Sequence, residues 1–247
     1  MTIRLSPNVT AGTAKTAIDL VAAVAMATAA IVLIWRTSHQ TGAPPRPRSQ
    51  APAIENVEQT GLTTILSKMS RRGRADAPVI LIEFSDFECP FCASYIRDTY
   101  DRIDREFVAN GTVQYAFRNF PLETIHKSAL EAAQAAECAG AQGKFWEMHR
   151  RLFEKQAFLG GRVWLREAPG LNLDVDTFAA CLAGTTMEKV RSDIDEGARL
   201  GVTSTPMFLI GRVSTSGIAR IIKRIRGAQP FDVFQDHLRR VLDDGPG

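Results

Sequence analysis

The chain has 247 residues, 45% of them hydrophobic, with 30 Lys and Arg against 27 Asp and Glu. That length holds one large or two small domains with enough apolar content for a core. A net charge of +3, with no basic stripe interleaved with aromatics, argues against nucleic acid as a partner. The four cysteines, two of them in a Cys-x-x-Cys, fit an oxidising compartment.

After an N-terminal tail (1–16), residues 17–35 are almost wholly apolar, interrupted by Asp19. At about 1.5 Å per residue the run would span about 28 Å, close to the roughly 30 Å hydrocarbon core of a bilayer. A cleaved signal peptide is the rival reading, since Ala-x-Ala patterns occur at Ala25-Met26-Ala27 and Ala27-Thr28-Ala29. The apolar Ile31-Val32-Leu33-Ile34-Trp35 runs straight past them, so an uncleaved transmembrane anchor is favoured, with Trp35 at the interface. Arg4 and Lys15 flank one side and Arg36, Arg46 and Arg48 the other, so flanking charge does not orient the segment. Residues 36–59, with Pro44, Pro45, Pro47 and Pro52, read as a semi-extended linker.

Folded structure is expected from residue 60, beginning with a short helix over 62–70 and a basic turn at Arg71-Arg72-Gly73-Arg74. The first strong strand is 79–84, whose unbroken apolar character predicts burial on both faces. It leads into Glu83-Phe84-Ser85-Asp86-Phe87-Glu88-Cys89-Pro90-Phe91-Cys92. A strand ending in Cys-x-x-Cys at a helix start is a redox device for a physical reason. The first turn of a helix has unpartnered N–H groups and a partial positive charge, which together lower the pKa of a thiol placed there. Pro90 suits that first turn. Cys89 is therefore read as the attacking thiol and Cys92 as the resolving one. A structural zinc site would need a second pair or two spaced histidines, and haem attachment would need histidine where Ala93 stands. A purely structural bridge is the remaining alternative.

Residues 93–110 then predict a helix with Ile96, Ile103 and Phe107 on one stripe, closed by Gly111. Residues 113–117 predict a strand of alternating character, and 125–156 a long helical region broken near Gly140 and Gly143. Helices over 174–182 and 187–200 follow, the second after a capping-box pattern, Thr185-Thr186-Met187-Glu188. The turn Thr203-Ser204-Thr205-Pro206 leads to strands over 207–210 and 218–225 and a last helix over 231–242. The order predicts a parallel pair with a helical crossover, a helical block, then an antiparallel pair covered by one helix. His126, His149 and His237 have no partners at ligand spacing, so no metal or other cofactor is expected.

These residues resemble the DsbA-like thiol–disulfide oxidoreductases of the thioredoxin superfamily. The resemblance is carried by residues 77–92, by Phe117-Arg118-Asn119-Phe120-Pro121-Leu122, by 132–146, by 201–208 and by Arg226-Gly227-Ala228, in family order across 60–243. It implies a thioredoxin fold with a helical insertion, about 123–200, between its βαβ and ββα halves. It also implies that Cys89 and Cys92 are the redox pair, and that Thr205-Pro206 is the turn whose proline is cis and lies against them. Glu83 matches a buried acid that helps move the resolving thiol's proton, although exposure is the norm for Glu. Some members link helices of the insertion by a second disulfide, which here would join Cys138 to Cys181; two buried free thiols are the alternative. Phe91 stands where strongly oxidising members carry histidine, and Glu88 adds negative charge beside Cys89, so a milder oxidant is expected.

The function expected is disulfide introduction into reduced, unfolded secreted polypeptides by a membrane-tethered enzyme, and the resemblance implies a quinone-linked membrane partner that reoxidises it. Thiol chemistry places the domain outside the cytoplasm, in the periplasm of a bacterial cell and tethered to its inner membrane by a single span. The alternatives are a reductase or isomerase using the same pair, and a non-enzymatic client-binding module of the same fold.

Overall fold

The computed structural model describes residues 53–184 and 186–245. The anchor expected at 17–35, and most of the linker with Arg36, Arg46 and Arg48, lie outside those residues. Seven strands build one sheet: β1 (Ile54–Asn56), β2 (Thr63–Ile65), β3 (Ser70–Arg72), β4 (Val79–Ser85), β5 (Val113–Asn119), β6 (Met207–Val213) and β7 (Ile218–Arg226). Their order is β1-β7-β6-β4-β5-β3, with β2 also paired to β7. β4 and β5 run parallel, joined by the helical run α1 (residues 90–108), while every other pairing is antiparallel. A parallel pair needs such a crossover, and its strands are normally covered on both faces.

Strand alternation sorts the core into layers. Val79 and Leu81 of β4, with Val113 and Tyr115 of β5, face α1 and the C-terminal helix, in one cluster with Tyr95, Ile103, Phe234 and Leu238. Ile80, Ile82, Phe84 and Ala116 face the other way, toward Leu200, Val202 and Leu209. α1 opens as an α-helix at Pro90 and twice widens into π-turns, at Ile96–Tyr100 and Asp104–Val108. Each widened turn brings two adjacent residues inward, Thr99 with Tyr100 and Phe107 with Val108.

Between β5 and β6 lie α2 (Ala129–Ala141), α3 (Phe145–Glu154), α4 (Trp164–Glu167), α5 (Val175–Leu182) and α6 (Thr186–Arg199); α7 (Phe231–Asp243) closes the domain. The alanines of α2 pack with Met148, Leu152, Trp164 and Phe178. Cys138 on α2 and Cys181 on α5 form a disulfide, with Cα atoms 5.7 Å apart. α6 covers the opposite face of β5, and Gly197 is where it comes closest. A Cβ there would sit 2.7 Å from the Phe120 ring and 3.0 Å from that of Phe84.

Several expectations change. The helix expected over 62–70 shrinks to one 3-10 turn, Leu66–Lys68; Thr63–Ile65 before it is an edge strand on β7, as its β-branched run allows. Pairing begins at Ile54, inside the stretch read as linker, and Arg71 and Arg72 belong to β3, with the chain bending at Gly73 and turning at Ala75 and Asp76. β5 is buried at every position rather than alternating, because α1 covers one face and α6 the other. The helix expected from Ile125 starts at Ala129, since the preceding segment is held in a turn by Leu122 O accepting from Ile125 and His126 N–H. The cap expected at Thr185 lies outside the described residues.

Candidate active site

β4 delivers the chain to Asp86, and Asp86 fixes the loop that carries the cysteines. Its carboxylate is buried. Oδ1 accepts from the Glu88 N–H at 2.7 Å, while Oδ2 accepts from the Leu122 N–H at 2.7 Å and lies 2.8 Å from His126 Nδ1. From the helical insertion, Gln156 Nε2 donates to the carbonyls of Phe87, at 2.8 Å, and Cys89, at 3.0 Å. The Glu88 carboxylate accepts from the Ser128 N–H at 2.7 Å. Cys89 is thus held as the extended N-cap of α1, with Pro90 in the first turn, where a missing N–H costs little.

Cys89 and Cys92 are both free, with Cys89 4% exposed and Cys92 fully buried. The two thiols are driven apart in acidity. Hydrogen bonding from Cys92 does most to bring Cys89 down to about 6; burial opposes it, and Thr205 and the Cys92 and Phe91 N–H groups add to the lowering. Burial, together with the neighbouring Cys89, pushes Cys92 well above the ordinary thiol range. The helix-mouth amides stressed by the sequence reading therefore act behind the second thiol. Glu88, expected to oppose ionisation, is not among the largest effects on Cys89, and its carboxylate accepts from the Ser128 N–H.

The Thr205–Pro206 peptide is cis. Pro206 is buried, and its carbonyl accepts from the Gly227 N–H at 2.8 Å, tying the turn to the end of β7. The Thr205 carbonyl accepts from Cys89 Sγ at 3.5 Å. Glu83 is fully buried on β4. Burial raises its carboxyl to about 7, opposed by the hydrogen bond from the Tyr115 hydroxyl and more weakly by Ser85, and the charge of Cys89 raises it further. Its charge in turn raises Cys92. Cys89, Cys92, Glu83, Thr205 and Pro206, from two separate stretches of chain, thus converge on one end of the sheet.

Around this centre Phe91 is 65% exposed, Ile125 67% and Phe158 59%. Phe91 lies between the cysteines, Ile125 on the loop tied to Asp86, and Phe158 two residues beyond Gln156. Sequence reasoning missed Asp86, Gln156 and Tyr115. The Asp86 carboxylate, one residue past a buried strand, offered a faint signal; Gln156 offered none. His126, read as a surface or packing residue, is the partner of Asp86. His149 is buried among Phe87, Phe117, Trp146 and Phe153, and burial takes it down to about 3.

A cysteine pair of split acidity at the end of a buried parallel strand, with a cis-proline turn against it, defines a thioredoxin-fold redox site. The thioredoxin family model matches residues 67–220, and the chain belongs to that family. It is 34% identical over 149 residues to the Na(+)/H(+) antiporter NhaA 1 of Mycolicibacterium vanbaalenii, covering 59% of this chain. The match takes in 24% of that protein, so the chain spans about a quarter of the length of such relatives. It is 29% identical over 158 residues to Disulfide bond formation protein D of Bacillus subtilis, covering 56% of this chain and 65% of that one. Its fold is similar to oxidised BdbD of Bacillus subtilis (TM-score 0.63, 23% identity, 74% of this chain and 98% of that one). It is also similar to alpha-DsbA1 of Wolbachia pipientis (TM-score 0.62, 22% identity, 72% and 93%).

Proposed function

We propose that the chain is a membrane-tethered, extracytoplasmic thiol–disulfide oxidoreductase that introduces disulfides into secreted proteins through Cys89 and Cys92. The observation that carries this is the split between the two thiols, one brought down to about 6 and the other pushed up. In the oxidising direction a client thiolate attacks Cys89 Sγ of the Cys89–Cys92 disulfide. Cys92 leaves as a thiolate and takes a proton from Glu83. A second client thiol then attacks the mixed disulfide, releasing oxidised client and the Cys89 thiolate. Stabilising that thiolate stabilises the reduced enzyme, and so makes its disulfide the better oxidant. The name of the Bacillus subtilis relative supports the same direction.

The exposed Phe91, Ile125 and Phe158 suit apolar segments of unfolded clients. A membrane partner returns the oxidising equivalents, and residues 17–35 supply the tether. One observation favours the reverse flow: residue 91 is a phenylalanine, which adds no positive charge beside Cys89.

The test is a Cys92→Ser variant expressed in the cell envelope. It should accumulate clients as mixed disulfides with Cys89, whereas Cys89→Ser should trap none. Equilibration of the wild-type pair with glutathione reads the direction. A couple that stays oxidised in a strongly reducing glutathione buffer would mark a reductant, and absence of any trapped client would leave only a binding module.

A further inference from the structure

Glu83 differs from most buried carboxylates in what holds it. Alternation places Glu83 of β4 and Tyr115 of β5 on the sheet face covered by α1, the helix that carries Cys92, and the Glu83 charge acts on that thiol. The Tyr115 hydroxyl donates to Glu83 Oε2, while Oε1 is buried with no hydrogen-bond partner among the described residues. Ser85, two residues along the same face, lowers this carboxylate less than Tyr115 does, and no Lys or Arg is among the groups acting on it. Tyr115 is fully buried, and its ring packs against Tyr100 at 5.0 Å and Trp146 at 5.9 Å between centroids, which limits where the hydroxyl can go. Burial and the Glu83 charge both push its own ionisation far up, so it remains a donor.

We propose that Tyr115 is a positioning residue for the thiol chemistry, its hydroxyl fixing one oxygen of Glu83 and leaving the other open to the proton of Cys92. This rests on the reading of Cys89, Cys92 and Glu83 given above. With oxidised glutathione as probe, the Cys89 thiolate first attacks one sulfur and one glutathione leaves as a thiolate. In the second step Cys92 gives its proton to Glu83 Oε1, and the Cys92 sulfur bonds to Cys89 Sγ. The Cys89–glutathione bond then breaks, its electron pair leaving on the second glutathione. One dithiol is oxidised and one disulfide reduced. Ionised Glu83 is the base of that second step, so the rate rises with pH through its titration. A donor to the carboxylate stabilises the ionised form and sets where that rise falls.

The experiment is rapid-quench mass spectrometry of the second step against pH, using the full-length chain. Tyr115→Phe should move the rise up by about one to two pH units, the scale of one lost hydrogen bond to a charged group. Replacing Tyr115 by a ring-fluorinated tyrosine, a stronger donor of nearly the same shape, should move it down. Tyr100→Phe, which removes a hydroxyl bonded to Arg72 and not to Glu83, should leave it in place. Glu83→Gln should abolish the rise. If the rise survives Glu83→Gln, Glu83 is not the base and the inference falls with that reading. If Glu83→Gln removes the rise but neither Tyr115 variant shifts it, or if Tyr100→Phe shifts it equally, the assignment of Tyr115 alone is overturned.

Discussion

At Cys89 the two largest effects oppose each other, and the smaller ones all pull the same way. Burial favours the neutral thiol, yet hydrogen bonding from Cys92 outweighs it, with Thr205 and two backbone N–H groups assisting. The thiolate should therefore form as pH rises through about 6, well below the ordinary thiol range near 8.5. Alkylation of Cys89 by iodoacetamide, followed by mass spectrometry, should show a rate that rises through that pH and is flat by neutrality. In Cys92→Ala, which removes the largest stabilising donor, the midpoint should move up by about one unit or more. A midpoint near that of a free thiol in the unaltered chain would contradict the picture. Some of this was legible beforehand: the spacing of two cysteines after an apolar run fixes which sulfur sits at a helix mouth. The leading role of Cys92 was not, because it depends on where a thiol proton points.

At the scale of the element, the central strands and α7 were readable because their apolar periodicity is local. The edge strands were not. Three residues each, they exist only through pairing with β7 or β5, and their local pattern of Leu62, Ile65, Leu66 and Met69 fits a helix equally well. Nor could sequence place the anchors of the redox loop, since Asp86 meets Leu122 36 residues away and Gln156 meets Phe87 69 residues away. α6 shows how tight the packing is. Gly197→Ala would gain about 1 kcal/mol of helix propensity, yet its Cβ would lie inside contact distance of the buried Phe84 and Phe120 rings. Overpacking of this kind costs about 1–3 kcal/mol, so chemical unfolding should show net destabilisation. Gly197→Ala paired with Phe120→Leu should recover part of it.

For the molecule as a whole, two features bear on stability toward reduction and toward acid. The Cys138–Cys181 disulfide spans 43 residues of sequence, a loop whose closure is worth about 3–4 kcal/mol by chain entropy. The double variant Cys138→Ala with Cys181→Ala should lose stability on that scale in denaturant, whereas a reducing agent should destabilise the unaltered chain but not the variant. The second feature is His149. Its folded pKa is about 3 against an ordinary 6.5, so the unfolded chain binds the proton first. The cost is absent above pH 6.5 and grows as pH falls from there toward 3. His149→Phe should therefore lower the pH at which acid unfolds the protein while leaving neutral stability nearly unchanged. Sequence offered only a histidine on a helix; its enclosure by aromatic rings from β5, α3 and the redox loop is tertiary.

The amide of Gln156 carries a last implication. It grips two carbonyls of the loop that bears the reactive sulfur, yet it is supplied from the segment just after α3, in the part of the chain foreign to the minimal sheet. A chimera that grafted another helical cap between β5 and β6 would fold around a sound sheet and still leave that loop slack, unless the graft brought its own side-chain amide to the same place.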